Sequence, residues 1–229
     1  MHSFDILTLF PSFFEGPLKV ALLQKAIVSK KIGVSLHDLR SFATDRHRTM
    51  DDTPYGGGPG MLMKVEPVVA AIEKITLCQK GKKSRRLLLS PQGNLLTQSK
   101  AKELAAYDQL VLVCGRYEGV DARVVEGGWI DEEISIGDYV VMGGEAAALV
   151  LIEAVVRWIP GVVGDQGSVA KDTLSDGQLK HPQYTRPEDF RGLKVPEILL
   201  SGNHKEIENW RQRMAKEKTG KKRPDLLKK

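Results

Sequence analysis

Cysteine is scarce in this chain of 229 residues: only Cys78 and Cys114 occur, far apart, with no CxxC pair. That excludes a disulfide framework and a cysteine zinc site. The five histidines, at 2, 37, 47, 181 and 204, show no HxxxH or HExxH spacing, which argues against a histidine zinc centre. No metal ligands are therefore assigned from spacing. No apolar run approaches the ~18–20 residues that cross a bilayer. The opening Met1-His2-Ser3-Phe4-Asp5 has no basic region and carries an early acid, unlike a secretory signal. A reducing, cytoplasmic setting without membrane contact is expected. No Gly-x-Ser-x-Gly elbow is present, which weakens a hydrolase assignment.

What is present is an ordinary globular composition, 41% hydrophobic and 28% charged. That composition excludes wholesale disorder, and the length is enough to bury a core without staples. The net charge of +5 is unevenly placed. Residues 204–229 hold ten Lys and Arg against four Asp and Glu, a net of +6, so the other 203 residues are close to neutral at −1. A basic tail of this kind suits a polyanionic partner, and equally a solvated helix end.

Short apolar runs alternate with helical patterns. Phe4–Phe10, Gly33–Leu39, Arg86–Ser90 (ended by Pro91), Gln109–Cys114 and Glu133–Val141 predict strands; residues 17–30, 66–79, 97–107 and 145–158 predict helices. Thr97 is placed as an N-cap. Residues 41–64 read as a long glycine-bearing loop. Strands alternating with helices predict an α/β domain built on a parallel sheet covered on both faces. This pattern fills residues 1–160. Residues 161–184 lack periodicity and read as a flexible linker. Residues 185–229 read as a small, basic, all-helical domain with two helices between Pro196 and Lys218, where Asn203 and Glu206 have the spacing of a capping box.

The densest glycine cluster, Tyr55-Gly56-Gly57-Gly58-Pro59-Gly60-Met61, lacks the Lys-Ser/Thr pair of a Walker loop and has Met61 where a dinucleotide fingerprint needs glycine. Three further glycine-bearing loops follow predicted strands: Ser90-Pro91-Gln92-Gly93-Asn94, Gly115 to Asp121, and Ser135 to Glu145. In open α/β sheets, ligands bind beyond the carboxyl ends of strands. Three such loops can line one pocket with backbone N–H and C=O groups, suited to a purine and to a neutral or cationic ligand. Each loop alone is also ordinary turn chemistry. Cys114, inside an apolar strand, reads as a buried small hydrophobe. Asp172 and Asp176, among small polar residues, read on their own as members of a solvated turn.

Taken in order, Asp5-Ile6-Leu7-Thr8-Leu9-Phe10-Pro11, the 55–61 cluster, Leu89-Ser90-Pro91-Gln92-Gly93, Cys114-Gly115-Arg116-Tyr117-Glu118-Gly119, Ser135-Ile136-Gly137-Asp138-Tyr139-Val140 and His181-Pro182-Gln183-Tyr184-Thr185-Arg186-Pro187 closely resemble the bacterial tRNA (guanine-N1)-methyltransferases of the SPOUT superfamily. The resemblance spans residues 4–227. It implies a trefoil-knotted α/β methyltransferase domain, a homodimer with sites at the interface, and methylation of N1 of guanine 37 in the anticodon stem-loop of tRNA. S-adenosyl-L-methionine is the implied donor, with Mg2+ in support through Glu118 and the substrate. Carried over residue by residue, the cofactor positions are Ser90, Pro91, Gly93, Gly115, Tyr117, Glu118, Gly119, Ile136, Gly137, Asp138, Tyr139, Val140, Val141, Gly143 and Gly144. Asp172 matches the general base and Arg157 the arginine acting with it. One departure is local: Gly143-Gly144-Glu145-Ala146-Ala147-Ala148 stands where the family has Gly-Gly-Glu-Leu-Pro-Ala. Two rivals stay open at this stage: a knotted methyltransferase for another RNA nucleotide, and an RNA-binding module without catalysis.

Overall fold

A computed structural model describes residues 1–78 and 81–227. Gln79, the expected end of the second helix, and Lys228 and Lys229 of the basic tail lie outside them. The chain divides into two compact units, Met1–Gly164 and Asp165–Lys229.

The first unit is built on strands β1 (His2–Thr8), β2 (Ile32–Asp38), β5 (Ser84–Leu95), β6 (Gln109–Cys114) and β7 (Glu132–Ser135). They form one sheet in the order β2-β1-β6-β5-β7, with every pairing parallel. Between β2 and β5, the two-residue strands β3 (Asp51–Asp52) and β4 (Leu62–Met63) pair antiparallel. The helices are α1 (Ala21–Val28), α2 (Val65–Leu77), α3 (Gln98–Leu104), α4 (Arg123–Glu126) and α5 (Gly144–Val156).

Period-two alternation divides the strand side chains between two cores. Phe4, Ile6, Leu87, Leu89, Leu110, Leu112 and Cys114 join α1, α3 and α5 on one face. Leu7, Leu88, Val111 and Val113 join α2 and α4 on the other. A sheet buried on both faces explains the nearly continuous apolar reading of β6. The apolar helix α5 is likewise explained inside this unit: Ala147, Ala148, Leu151, Ile152, Val155 and Val156 are all buried there.

Four expectations shift. Pro91 does not end its strand. β5 runs on to Leu95, and its ladder to β7 is interrupted between Leu89 and Asn94, where a residue without N–H costs no ladder bond. The strand expected over 133–141 stops at Ser135; beyond Gly137 (φ 150°), Val140 and Met142 are 84% and 91% exposed, so this apolar run is loop. The helix expected over 17–30 breaks at Val20, which is extended, leaving a 3-10 turn at Pro17–Lys19 and α1. Between residues 41 and 64 the β3–β4 hairpin replaces an unstructured loop. Thr97 does cap α3, its Oγ1 accepting from the Lys100 N–H at 3.2 Å.

In the second unit, the segment expected to be a structureless linker contains α6 (Gln166–Ala170), capped by Asp165, with Val169 buried. The C-terminal part is not all-helical: β8 (Asp189–Phe190) and β9 (Leu193–Lys194) form a hairpin. Its two-residue turn, Arg191 and Gly192, has φ of 54° and 84°, the geometry that matches strand twist. The two expected helices resolve into a 3-10 turn, Glu197–Leu199, and one long helix α7 (His204–Lys222). Asn203 Oδ1 accepts from the Glu206 N–H at 3.3 Å, the N-cap half of the expected box. Among the described residues no helix is long and apolar enough to cross a membrane.

Candidate active site

The carboxyl ends of β5, β6 and β7 open onto one cavity of about 650 Å³. Its walls are the three glycine-bearing loops. Ser90, Pro91, Gly115, Tyr117, Glu118, Gly119, Ile136, Gly137, Tyr139, Val140, Val141, Gly143 and Gly144 all line it. Of the expected cofactor positions, Gly93 and Asp138 do not. Gly93 has a packing reason instead: a Cβ there would sit 2.3 Å from the backbone carbon of Glu133. Asp138 is exposed.

The loops hold one another by backbone. Gly144 donates to the Gly115 carbonyl at 2.8 Å, and a Cβ on Gly144 would come within 2.7 Å of Cys114 Cα. At Gly115 an added Cβ would meet nothing closer than 3.5 Å, so packing leaves room there for a side chain that would fill the cavity. The 55–61 cluster, carried by the β3–β4 hairpin, abuts the same wall. Glu118 donates from its backbone N–H to the Met61 carbonyl at 3.0 Å, and Met63 to the Gly119 carbonyl at 2.9 Å. A Cβ on Gly60 (φ 79°) would collide with the Glu118 side chain at 2.4 Å. The end of the cluster therefore packs against the Glu118 side of the cavity wall.

Sequence reasoning missed the polar group beneath these loops. Glu145, 1% exposed, sits in the first turn of α5. Its Oε1 accepts from Thr8 Oγ1 at 2.7 Å, and its Oε2 lies 2.9 Å from Arg116 Nη2. That second contact lacks hydrogen-bond alignment and acts as a charge pair. Arg116 also donates to the Met142 carbonyl at 2.9 Å and lies 4.4 Å over the Phe10 ring. One guanidinium thus ties Phe10, just beyond β1, the 115–119 loop and the 136–143 loop together. The signal was weak: an acid in the first turn of a helix is ordinary, and only the apolar run that follows, Ala146 to Ile152, hints that this one is buried and needs a partner. Beside it, burial first and the Glu145 charge second push the Cys114 thiol well up, so it stays a neutral core residue.

The cavity's lining is rich in carboxylates. Arg116 is neutralised by Glu145, while Glu118, Glu126 and Glu133 add carboxylates to the lining. An acidic, largely backbone wall suits a cation and a purine, not a triphosphate. Tyr117 (φ 59°) is held at the rim, its hydroxyl pushed up in pKa by partial burial and then by the Asp51 charge, to which it is hydrogen-bonded. Among the described residues no three His, Cys, Asp or Glu side chains gather into a metal site.

The two expected catalytic residues lie in different units. Arg157 is the C-cap of α5 and is partly buried. Asp172 follows α6; its Oδ1 accepts from the Thr173 N–H at 2.9 Å and lies 3.8 Å from Lys180 Nζ.

A family model described as tRNA (guanine-1)-methyltransferase TrmD matches residues 2–229. A protein of Geobacter metallireducens named tRNA (guanine-N(1)-)-methyltransferase is 52% identical over 226 residues, 99% of this chain and 91% of the relative. Proteins of the same name from Dictyoglomus turgidum and Geobacillus kaustophilus are each 50% identical, over 100% and 97% of this chain and 91% and 90% of their own lengths.

Proposed function

The chain belongs to the tRNA (guanine-1)-methyltransferase family, and we propose that it transfers a methyl group from S-adenosyl-L-methionine to N1 of guanine 37 of tRNA. One observation carries the reading: three glycine-bearing strand-end loops share a single acidic cavity of about 650 Å³. The residues present fit the cofactor. Gly115 and Gly119 leave space that side chains would take, and Tyr117 and Ile136 offer flat or apolar surface for a purine. When bound, the cofactor supplies an electrophilic methyl on a sulfonium.

Guanine N1 carries a proton and a delocalised lone pair, so it needs a base. In this proposal the Asp172 carboxylate accepts the N1 proton. The electron density released toward O6 is met by the Arg157 guanidinium. The Thr173 N–H bond fixes one Asp172 oxygen, which orients the carboxylate. The remaining contribution is alignment by the loops. Glu118, on the cavity lining, would be the residue to hold magnesium beside the substrate, and the ion would supply charge balance there.

The proposal includes a homodimer, a SPOUT trefoil knot and a cytoplasmic setting alongside tRNA. Exposed Phe10, Phe13, Leu22 and Val150 offer apolar surface for a second copy. The knot rests on the family resemblance, and the all-parallel sheet order β2-β1-β6-β5-β7 is compatible with it. The test is single-turnover methylation of transcripts bearing G37 or A37, by wild type and by Asp172→Ala and Asp172→Asn. Only G37 should be methylated. Both variants should be slower by about 10²–10⁴-fold, with cofactor binding retained and partial rescue at high pH. Equal methylation of both transcripts would overturn the position assignment, and Asp172→Ala within a few-fold of wild type would end the general-base role.

A further inference from the structure

The second unit holds a cavity of its own, about 600 Å³, between the 181–188 segment, the Val195–Leu200 stretch and α7. Its floor is apolar: Ile207 is buried, with Val195 and Leu199 partly so beside it. The polar groups belong to the same lining. Tyr184 is 50% exposed, and Arg186 and Arg211 bring two guanidiniums against a single lining carboxylate, Glu188. Arg211 also has Glu208 at 3.6 Å, both half-exposed, a pair that solvent weakens.

The segment is held in place. His181 Nδ1 lies 2.8 Å from the Pro182 carbonyl and its ring packs edge-on to Trp210 at 6.2 Å. The Val195 N–H bonds the Glu188 carbonyl at 2.9 Å, closing the far side. An apolar floor, one accessible aromatic ring and two cations in one concavity match the chemistry of an unpaired nucleotide. The base has two apolar faces to bury or stack, and its phosphate is met by guanidinium. A paired helix cannot offer such a face.

We propose that this cavity binds an unpaired nucleotide of the tRNA anticodon loop, stacked on Tyr184 with its phosphate toward Arg186 and Arg211. The proposal rests on tRNA being the substrate and adds a second RNA subsite, outside the methyl-transfer cavity.

The test uses the full chain with an anticodon stem-loop RNA and a fully paired duplex of equal length as probes. Tyr184→Ala should raise the stem-loop Kd tenfold or more, the scale of one lost base stack, while Tyr184→Phe stays within twofold. Duplex binding should be the same for both. Arg186→Gln should flatten the slope of log Kd against log salt by about 0.7, and Tyr184→Ala should leave it unchanged. On wild type, a 5-bromouridine-substituted loop should photocross-link to the 181–188 peptide, a readout independent of variant folding. Stem-loop affinity unmoved by Tyr184→Ala, an equal loss on duplex, or cross-links only elsewhere would overturn the subsite. Absence of methyl transfer to G37 by wild type would instead overturn the activity, so the two failures are separable.

Discussion

At the residue scale, the acid inside α5 repays the closest scrutiny. Glu145 and Arg116 are each paired, and neither side chain has full access to water, at 1% and 19% exposed. Removing one partner leaves a buried charge uncompensated, which costs about 3–5 kcal/mol, whereas replacing both by apolar residues of like size is close to neutral. Glu145→Gln keeps the shape and an acceptor for Thr8 but leaves Arg116 without its counter-charge. It should lower the melting temperature markedly, and it should weaken cofactor binding because Arg116 also anchors the Met142 carbonyl of the 136–143 loop. A double-mutant cycle on Arg116→Met and Glu145→Leu should show coupling above about 1 kcal/mol, the double variant being more stable than the additive sum. Additive losses would mean that the pair is not an energetic unit. From the sequence this acid could be seen; its partner could not, since Thr8 and Arg116 reach it only through the parallel sheet.

Elements were legible where hydrophobic burial and local pattern agree. Residues 109–114 have apolar neighbours on both faces, and the observed strand β6 has the expected bounds. The 133–141 run failed because Val140, Val141 and Met142 are apolar yet exposed on a loop, so composition misreported burial. The glycine loops were legible as a pocket because strand-end position, not fold, set the expectation; Gly93 shows that a glycine kept for close backbone packing looks the same in sequence as one kept for a ligand. β1 yields a pH prediction. Burial, the dominant cause, lowers the His2 pKa from 6.5 to about 4, against an opposing hydrogen bond that the ring donates to the Tyr107 carbonyl. The folded state therefore binds fewer protons than the unfolded chain between pH 6.5 and 4. Stability should fall as pH drops through that window and level off below it. At pH 5 the loss should be about 2 kcal/mol relative to pH 7. Comparing urea midpoints of wild type and His2→Gln at both pH values isolates this share from carboxylate titration. A pH-dependent difference near zero would show that His2 is not buried against protonation in solution.

At the scale of the whole molecule, charge and chemistry are divided along the chain. The first 203 residues are close to neutral, and the net excess of +6 lies in residues 204–229, most of it on α7. α7 is amphipathic only weakly: Ile207 and Thr219 are its buried residues, and its cations point mostly to solvent. Polar on nearly all sides, such a helix is not accounted for by core packing, and its charge remains available to a polyanion. Not every cation is equally available. Arg223 is clamped by Asp225 at 2.6 Å and 2.9 Å, whereas Lys221 and Lys222 are exposed in the last turn. These two should contact phosphates rather than bases, because lysine is a mobile point charge with no planar fork to read a base edge. Each phosphate contact releases counterions, so log Kd for tRNA depends linearly on log salt. Replacing Lys221 and Lys222 together by Gln should weaken tRNA binding at low salt and flatten that slope by about 1.4–1.8. The loss should be uniform across tRNA sequences and should leave S-adenosylmethionine affinity unchanged. Adding Arg223→Gln should flatten the slope less than either lysine does, because Asp225 already neutralises that guanidinium. A slope identical to wild type after the double replacement would show that α7 does not lie along the RNA backbone.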